Sequence, residues 1–313
     1  MTSDPEPATP AIEPERRRKG RLLELAEYRA YRFLVNRVAG ARAERVRWWG
    51  RQIGWLASRV LIGRNRLALA NLRLTFPGKS EKERSRILAR CWQHFGEAVL
   101  DFVRVQTLPF EDLVANSSFG NRELFDRALA KGRGVILISG HFGNWEVAGQ
   151  LVSALGVPVV TVARPLDNTL LERDLKKIRG RSGVEYVDRK KAARPLVRAL
   201  ERKQVVALLP DQAVKPKEGI VVPFLGRPAW TTDAPAKLAL RFRSPILFLF
   251  TTRAGSRYLA QFETPIDPEE LSAEDSSVQR LTGTINDVFS ARILREPELW
   301  LWMHDRWKRT DES

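Results

Sequence analysis

From about residue 118 onward, short apolar runs alternate with helical stretches. This alternation restricts the fold more than any other feature of the chain. Gly134-Val-Ile-Leu-Ile-Ser139 is a brief run rich in β-branched residues, the mark of a strand buried on both faces. A helix over 144–155 follows, then a strand at 157–163, a helix over 168–180, a strand at 184–187, a helix over 191–203 and a strand at 205–209. After a loop come a helix over 232–243, a strand at 246–251 and a second strand at 258–263 pairing beside it. A helix over 275–294 and an aromatic tail close the chain. Strands separated by helices predict an α/β fold with a central, mainly parallel mixed sheet flanked by helices. In such sheets ligands bind outside the carboxyl ends of the strands, so the residues just past each strand matter most.

The first 110 residues read differently. Residues 1–15 are rich in Pro, Glu and Thr and predict a disordered tail. Residues 20–73 read as helical, and Pro77-Gly78 ends that stretch. Ser80-Glu-Lys-Glu83 has the form of a capping box opening a helix over 81–104. The expected organisation is therefore a tail (1–15), a basic amphipathic helical region (16–110) and an α/β catalytic domain (111–313) that forms one unit with the helices.

Charge sharpens this division. Lys and Arg number 53 against 37 Asp and Glu, a net of +16. Between residues 16 and 66, 14 Arg and one Lys face only Glu24, Glu27 and Glu44. The same stretch carries Tyr28, Tyr31, Phe33, Trp48, Trp49, Ile53, Trp55 and Leu56. Positions 49, 53, 56 and 60 share a helical face, with Arg47, Arg51 and Arg59 elsewhere around the turn. Such a helix suits an anionic membrane interface. It equally suits a helix packed on the domain with a solvated basic face.

A spanning helix needs about 20 consecutive apolar residues. The longest uncharged stretch, 147–163, is broken by Gly156 and Pro158. No secretory h-region follows the basic run at 16–19. The expectation is peripheral or monotopic attachment to the cytoplasmic face of the inner membrane. The single cysteine, Cys91, leaves neither a disulfide framework nor a zinc cluster. No helix-turn-helix, zinc-finger or RNP-type pattern supports nucleic-acid binding.

The chemistry concentrates at the end of the first strong strand, in Ser139-Gly-His-Phe-Gly-Asn-Trp-Glu146. On one continuous helix, His141 and Glu146 would stand roughly 140° apart and never meet. With His141 in a loop and Asn144 as N-cap, Glu146 falls in the first turn and can reach back toward the imidazole. Gly140 and Gly143 permit the tight path. A carboxylate-oriented imidazole beside free helix N–H groups suits a general base for a hydroxyl nucleophile, with the helix N-terminus near an anion. The chain has three histidines, 94, 141 and 304. His94, between Trp92 and Phe95, reads as structural. There is no G-x-S-x-G elbow.

These residues resemble the H-x4-D/E motif of glycerolipid acyltransferases, and in particular the lipid A biosynthesis late acyltransferases of lauroyl/myristoyl type, which carry H-x-G-N-W-E. Further segments agree in order. Arg164-Pro-Leu-Asp-Asn168 is similar to that family's R-P-x-x-N, and Pro210-Asp-Gln212 to its D-Q motif. Pro223-Phe-Leu-Gly-Arg-Pro-Ala229 is similar to F-F-G-x-x-A, with Leu225 in place of the second Phe. Residues 298–308 are similar to its C-terminal Q-W-x-W-x-H-x-R-W-K-like signature. The resemblance runs from about residue 20 to 309. Many relatives begin with a transmembrane helix; the basic amphipathic stretch stands in its place here.

The resemblance implies acyl transfer from an acyl thioester to a lipid hydroxyl. His141 is expected to deprotonate the hydroxyl, with Glu146 fixing its tautomer and stabilising the imidazolium. Arg164, past the strand at 157–163, is expected on the same rim, where a guanidinium binds phosphate bidentately. Asn144, Asn168, Asp211 and Gln212 are the other expected substrate-side residues. Asn168 alternatively caps the next helix, and Asp211 alternatively orients His141 or Arg164. Arg189-Lys-Lys191 reads as a solvated charge run. Trp300, Met303, His304 and Trp307 share a helical face and read as packing. No Walker or G-x-G-x-x-G pattern is present, so no metal or nucleotide cofactor is expected. Acyl carrier protein or acyl-CoA would supply the acyl group, and the acceptor would be a lipid A precursor or, in a second reading, a phosphatidylinositol mannoside or other glycolipid.

Overall fold

The computed structural model describes residues 20–181, 183–255, 257–308 and 310, so the tail expected at 1–15 lies outside the described residues. Four helices come first: α1 (Arg21–Ala39), α2 (Ala43–Val60), α3 (Ile62–Thr75) and α4 (Glu81–Val105). The stretch expected to be helical over 20–73 is thus three helices, interrupted at Gly40 and Leu61. The Ser80/Glu83 capping box forms in full and opens α4.

The rest alternates as its periodicity requires: α5 (Phe110–Ala115), β1 (Ser117–Gly120), α6 (Arg122–Ala130), β2 (Val135–Ile138), α7 (Trp145–Leu151), β3 (Val159–Ala163), α8 (Thr169–Arg181), β4 (Glu185–Asp188), α9 (Ala193–Glu201), β5 (Val205–Leu208), β6 (Ile220–Phe224), β7 (Arg227–Thr231), α10 (Ala234–Phe242), β8 (Ile246–Ala254), β9 (Arg257–Ile266) and α11 (Val278–Arg295). The main sheet has the order β1-β9-β8-β2-β5-β3-β4. Its strands pair in parallel, except for the antiparallel β8–β9 pair. All four residues of β2 are buried, as expected of a strand covered on both faces. One layer over the sheet is built from β-strand residues with Leu196, Ala236, Phe289 and the C-terminal tryptophans. The other joins them to Leu113, Phe125, Val147 and Leu151.

Two elements escaped the periodicity. β1 is four residues, Ser-Ser-Phe-Gly, with no apolar run to announce it. The β6–β7 hairpin turns on Leu225 and Gly226, both at positive φ (51° and 75°). Such a turn ordinarily falls on Asn-Gly, so Leu-Gly hides it. The helix expected over 144–155 tightens into a 3₁₀ turn after Leu151 and ends at Gly156. The aromatic tail is not helical: a short 3₁₀ turn at Pro297–Leu299 leads into irregular backbone. Its peptide groups pair elsewhere, Leu301 N–H with the His141 carbonyl and the Leu299 carbonyl with Gly143 N–H.

The α2–α4 contact depends on glycine. Gly50 and Gly54 of α2 are buried against α4. A Cβ on Gly50 would lie 2.7 Å from the Glu97 Cα, and one on Gly54 would overlap the Trp92 carbonyl. Gly96 of α4 meets the Gly50 carbonyl in the same way. The backbones cross so closely that only hydrogen fits. Gly54→Ala is expected to lower stability by about 1–3 kcal/mol through overpacking. Chemical denaturation checks this, and an unchanged midpoint would contradict the close crossing. With the glycine face turned inward, Trp48, Ile53, Trp55, Leu56 and Val60 face outward, while Trp49 is half-buried.

Candidate active site

The turn after β2 is shaped by two glycines. A Cβ on Gly140 would lie 2.6 Å from the Phe289 ring and 3.1 Å from the Asp211 carboxyl carbon. Gly143 adopts φ 60° with the Thr251 carbonyl against it. Between them His141 is held from two sides by one carboxylate. Its backbone N–H donates to Asp211 Oδ2 at 2.9 Å, and its Nδ1 lies 3.0 Å from Asp211 Oδ1. Asp211 follows β5, which pairs in parallel with β2, so both residues stand at the same sheet edge. The Trp300 indole N–H donates to Asp211 Oδ2 at 3.0 Å. A carboxylate acceptor makes Nδ1 the protonated nitrogen and leaves the Nε2 lone pair to accept a proton.

The electrostatics follow from burial and pairing. Burial pulls the His141 imidazole down, but the Asp211 charge and hydrogen bond, helped by Glu146, raise its pKa above the ordinary 6.5. Burial pushes Asp211 up, yet the His141 charge and the hydrogen bonds from His141 and Trp300 hold its carboxyl below the usual range. The pair is an imidazole stabilised as a cation by a carboxylate that stays ionised.

The orienting bond expected from Glu146 is corrected by this geometry, because Nδ1 belongs to Asp211. Glu146 lies in the first turn of α7 and pairs with Arg179 of α8 at 3.8 Å. Burial raises its carboxyl pKa, with Arg179 and His141 acting against the rise. Its link to the imidazole is thus electrostatic. Asn144 and Asn168 are engaged in the scaffold. Asn144 Oδ1 caps α7 by accepting the Val147 N–H at 3.3 Å, and its amide faces Asp101. Asn168 Oδ1 accepts from Leu170 and Leu171 N–H, while its amide donates to the Glu24 carbonyl and Glu27 carboxylate of α1. Both are buried. Arg164 follows β3 at the same edge as His141. Its side chain is 68% exposed, with Asp167 at 3.4 Å. Gln212 is half-buried beside Asp211.

Several residues read as packing serve the site. Besides Trp300, His304 Nε2 accepts the Ala213 N–H at 3.2 Å and so holds the loop that carries Asp211. His94 of α4 donates Nε2–H to the Gly143 carbonyl at 3.0 Å, and burial lowers its pKa. Asp101, also on α4, pairs with Arg253 of β8 at 3.1 Å. These contacts join residues 49 to 152 positions apart, which helical spacing cannot reveal. Cys91, Phe95, Trp145 and Leu301 complete a narrow, largely apolar crevice beside His141. Burial pushes the Cys91 thiol up to about 12, so it is no thiolate nucleophile.

The profile of the bacterial lipid A biosynthesis acyltransferases matches residues 31–309. A lipid A biosynthesis acyltransferase of Haemophilus influenzae is 27% identical over 276 residues, covering 84% of this chain and 85% of the relative. A lipid A biosynthesis lauroyltransferase of Escherichia coli is 26% identical, covering 83% of this chain and 84% of the relative. A phosphatidylinositol mannoside acyltransferase of Mycobacterium tuberculosis is 27% identical over 192 residues, covering 60% of this chain and 59% of the relative.

Proposed function

The chain belongs to the bacterial lipid A biosynthesis acyltransferase family, and from that premise we propose that it moves a fatty acyl chain from an acyl thioester to a hydroxyl of a lipid A precursor-type glycolipid. His141 is the general base. Nε2 takes the hydroxyl proton as the oxygen attacks the thioester carbonyl; the C–S bond breaks, and the proton passes to the departing thiolate. Asp211 keeps the imidazole in the accepting tautomer and stabilises the imidazolium. Glu146 adds a second negative charge. The acyl group passes directly, without an acyl-enzyme, because no activated serine or cysteine accompanies the base. The chemistry calls on no metal or redox cofactor beyond the thioester donor. Arg164, open to solvent at the same edge, would bind phosphate of the acceptor or donor, with Gln212, next to Asp211, a further substrate-side residue. The single observation that carries this reading is the His141–Asp211 pair at 3.0 Å.

The test is transfer from labelled acyl-carrier protein or acyl-CoA to detergent-solubilised glycolipids. Labelling of a lipid A precursor is the expected result. Labelling only of a mannosylated phosphoinositide would move the protein to the second reading, which the mycobacterial relative favours.

Attachment to an anionic membrane surface belongs to the same proposal. Among the described residues no helix is long and apolar enough to cross a membrane. Of the fourteen exposed large apolar side chains among the described residues, eleven nevertheless fall between Leu22 and Leu74, in the arginine-rich part of the chain. Arg59 stacks over the exposed Trp55 ring at 5.2 Å. Trp55→Asp together with Leu56→Asp is expected to weaken flotation on anionic vesicles by about tenfold or more. Flotation equal to that of the unsubstituted protein would remove this surface from the account.

A further inference from the structure

A second basic cluster lies away from the aromatic helices. Between residues 189 and 203, seven cationic side chains face one carboxylate, Glu201. Arg194, Arg198 and Arg202 recur four positions apart and so form one stripe along α9 and its C-cap, about 12 Å long. Arg241 of α10 supplies the opposite wall. Arg194, Arg198 and Arg241, with Ala193, Val197 and Glu201, bound an open groove of about 370 Å³.

The stripe is not explained by folding. Elsewhere exposed helices pair opposite charges one turn apart, as in Arg122–Asp126, Lys176–Glu172, Lys237–Asp233 and Arg292–Glu296. Among the described residues, Arg194 and Arg198 have no carboxylate within ion-pair distance, and like charges at this spacing repel. Arg194 also lies in the first turn of α9, where the helix dipole disfavours a cation.

We propose that the α9–α10 groove docks an acidic protein that carries the acyl thioester. This rests on the acyltransferase reading and names the partner that delivers the donor. Charge complementarity points to an anionic surface, and the length of the stripe matches a run of carboxylates along a helix better than a single phosphate group. A membrane interface is disfavoured, because no exposed large apolar side chain lies between residues 189 and 243 to anchor in lipid. The position fits delivery. α9 leaves the carboxyl edge of β4 and packs on β3 and β5, the strands that precede Arg164 and Asp211. The Arg194 end of the groove lies toward the edge that holds His141 and the Arg241 end toward the opposite edge, so a carrier seated along it delivers its thioester arm from the Arg194 end.

The test uses the full chain with Arg194→Glu, Arg198→Glu and Arg241→Glu combined. All three side chains are exposed, and Arg198→Gln alone provides a milder variant. Purified bacterial holo-acyl carrier protein is the binding probe. Two donors are compared: the acylated carrier and the same acyl group on N-acetylcysteamine, which lacks the protein. The Kd for the carrier and the KM for the acylated carrier are both expected to rise about tenfold or more. Arg198→Gln should shift both in the same direction. Turnover of the N-acetylcysteamine thioester and vesicle flotation should stay unchanged. An unchanged carrier Kd overturns the proposal, and so does equal loss with both donors. Loss of vesicle binding with carrier binding intact assigns the groove to lipid instead. Failure of the acyltransferase reading looks different: the unsubstituted protein transfers from neither donor, while carrier binding is still measured.

Discussion

Replacing His141 with alanine is expected to lower kcat/KM by about 10²–10⁴, the usual contribution of a positioned general base. The fall should appear in kcat, with little change in KM, because the imidazole acts on a proton that moves only in the transition state. The fold should survive. The truncation leaves Asp211 Oδ2 with two donors, the backbone N–H of residue 141 and the Trp300 indole, so the buried carboxylate is not stranded. Steady-state kinetics beside near-ultraviolet circular dichroism make the measurement. Near-normal turnover in a folded variant would remove His141 from the chemistry.

Asp211→Asn should cost nearly as much, about 10³–10⁴ in kcat, by the logic of an orienting carboxylate exchanged for its amide. The geometry specifies why. Oδ2 accepts two N–H donors, so the asparagine oxygen must occupy that position. Its NH₂ group then faces His141 Nδ1. An NH₂ there requires Nδ1 to accept, which places the imidazole proton on Nε2 and blocks the base. The pH dependence should change as well. A base works deprotonated, so activity falls as pH falls through its pKa. In the unsubstituted enzyme that pKa is raised above 6.5, chiefly by Asp211 acting against burial. Without the charge, burial is opposed by Glu146 alone. The acidic limb should therefore move to lower pH even as the maximum rate collapses. A variant with full activity would show that Asp211 serves the loop and not the base.

The parts of the fold legible in the sequence are those with a period. β2, β3, β5 and β8 are apolar runs, and the helices between them carry amphipathic faces, so the parallel core of the sheet follows from spacing alone. β1 and the β6–β7 hairpin lack that signal: one is too short, and the other turns on Leu225 where asparagine is the usual sign. The His141 turn was legible because glycines, an N-cap and a strand end coincide within eight residues. Its carboxylate was harder. Glu146 is the nearest acid in sequence, but Asp211 is the one that parallel pairing of β2 with β5 brings to the imidazole. The C-terminal segment misled for a related reason. The spacing of Trp300, Met303, His304 and Trp307 fits a helix, yet the Leu299 carbonyl and the Leu301 N–H bond to the His141 turn, and Trp300 and His304 tie the segment to the loop of Asp211. Helical periodicity cannot foresee a segment two of whose peptide groups pair with a loop about 160 positions earlier. The glycine crossing of α2 and α4 is of the same kind, since it fixes which face of α2 turns outward.

The most direct measurement is the single-turnover rate of labelled acyl transfer to the glycolipid across a pH series, for the unsubstituted enzyme and for Asp211→Asn. The account predicts a rate that rises with pH through an inflection above 6.5 in the first, and a far slower rate with its inflection at lower pH in the second. A rate flat across that range, or an inflection left in place by the substitution, would contradict a general base held by Asp211.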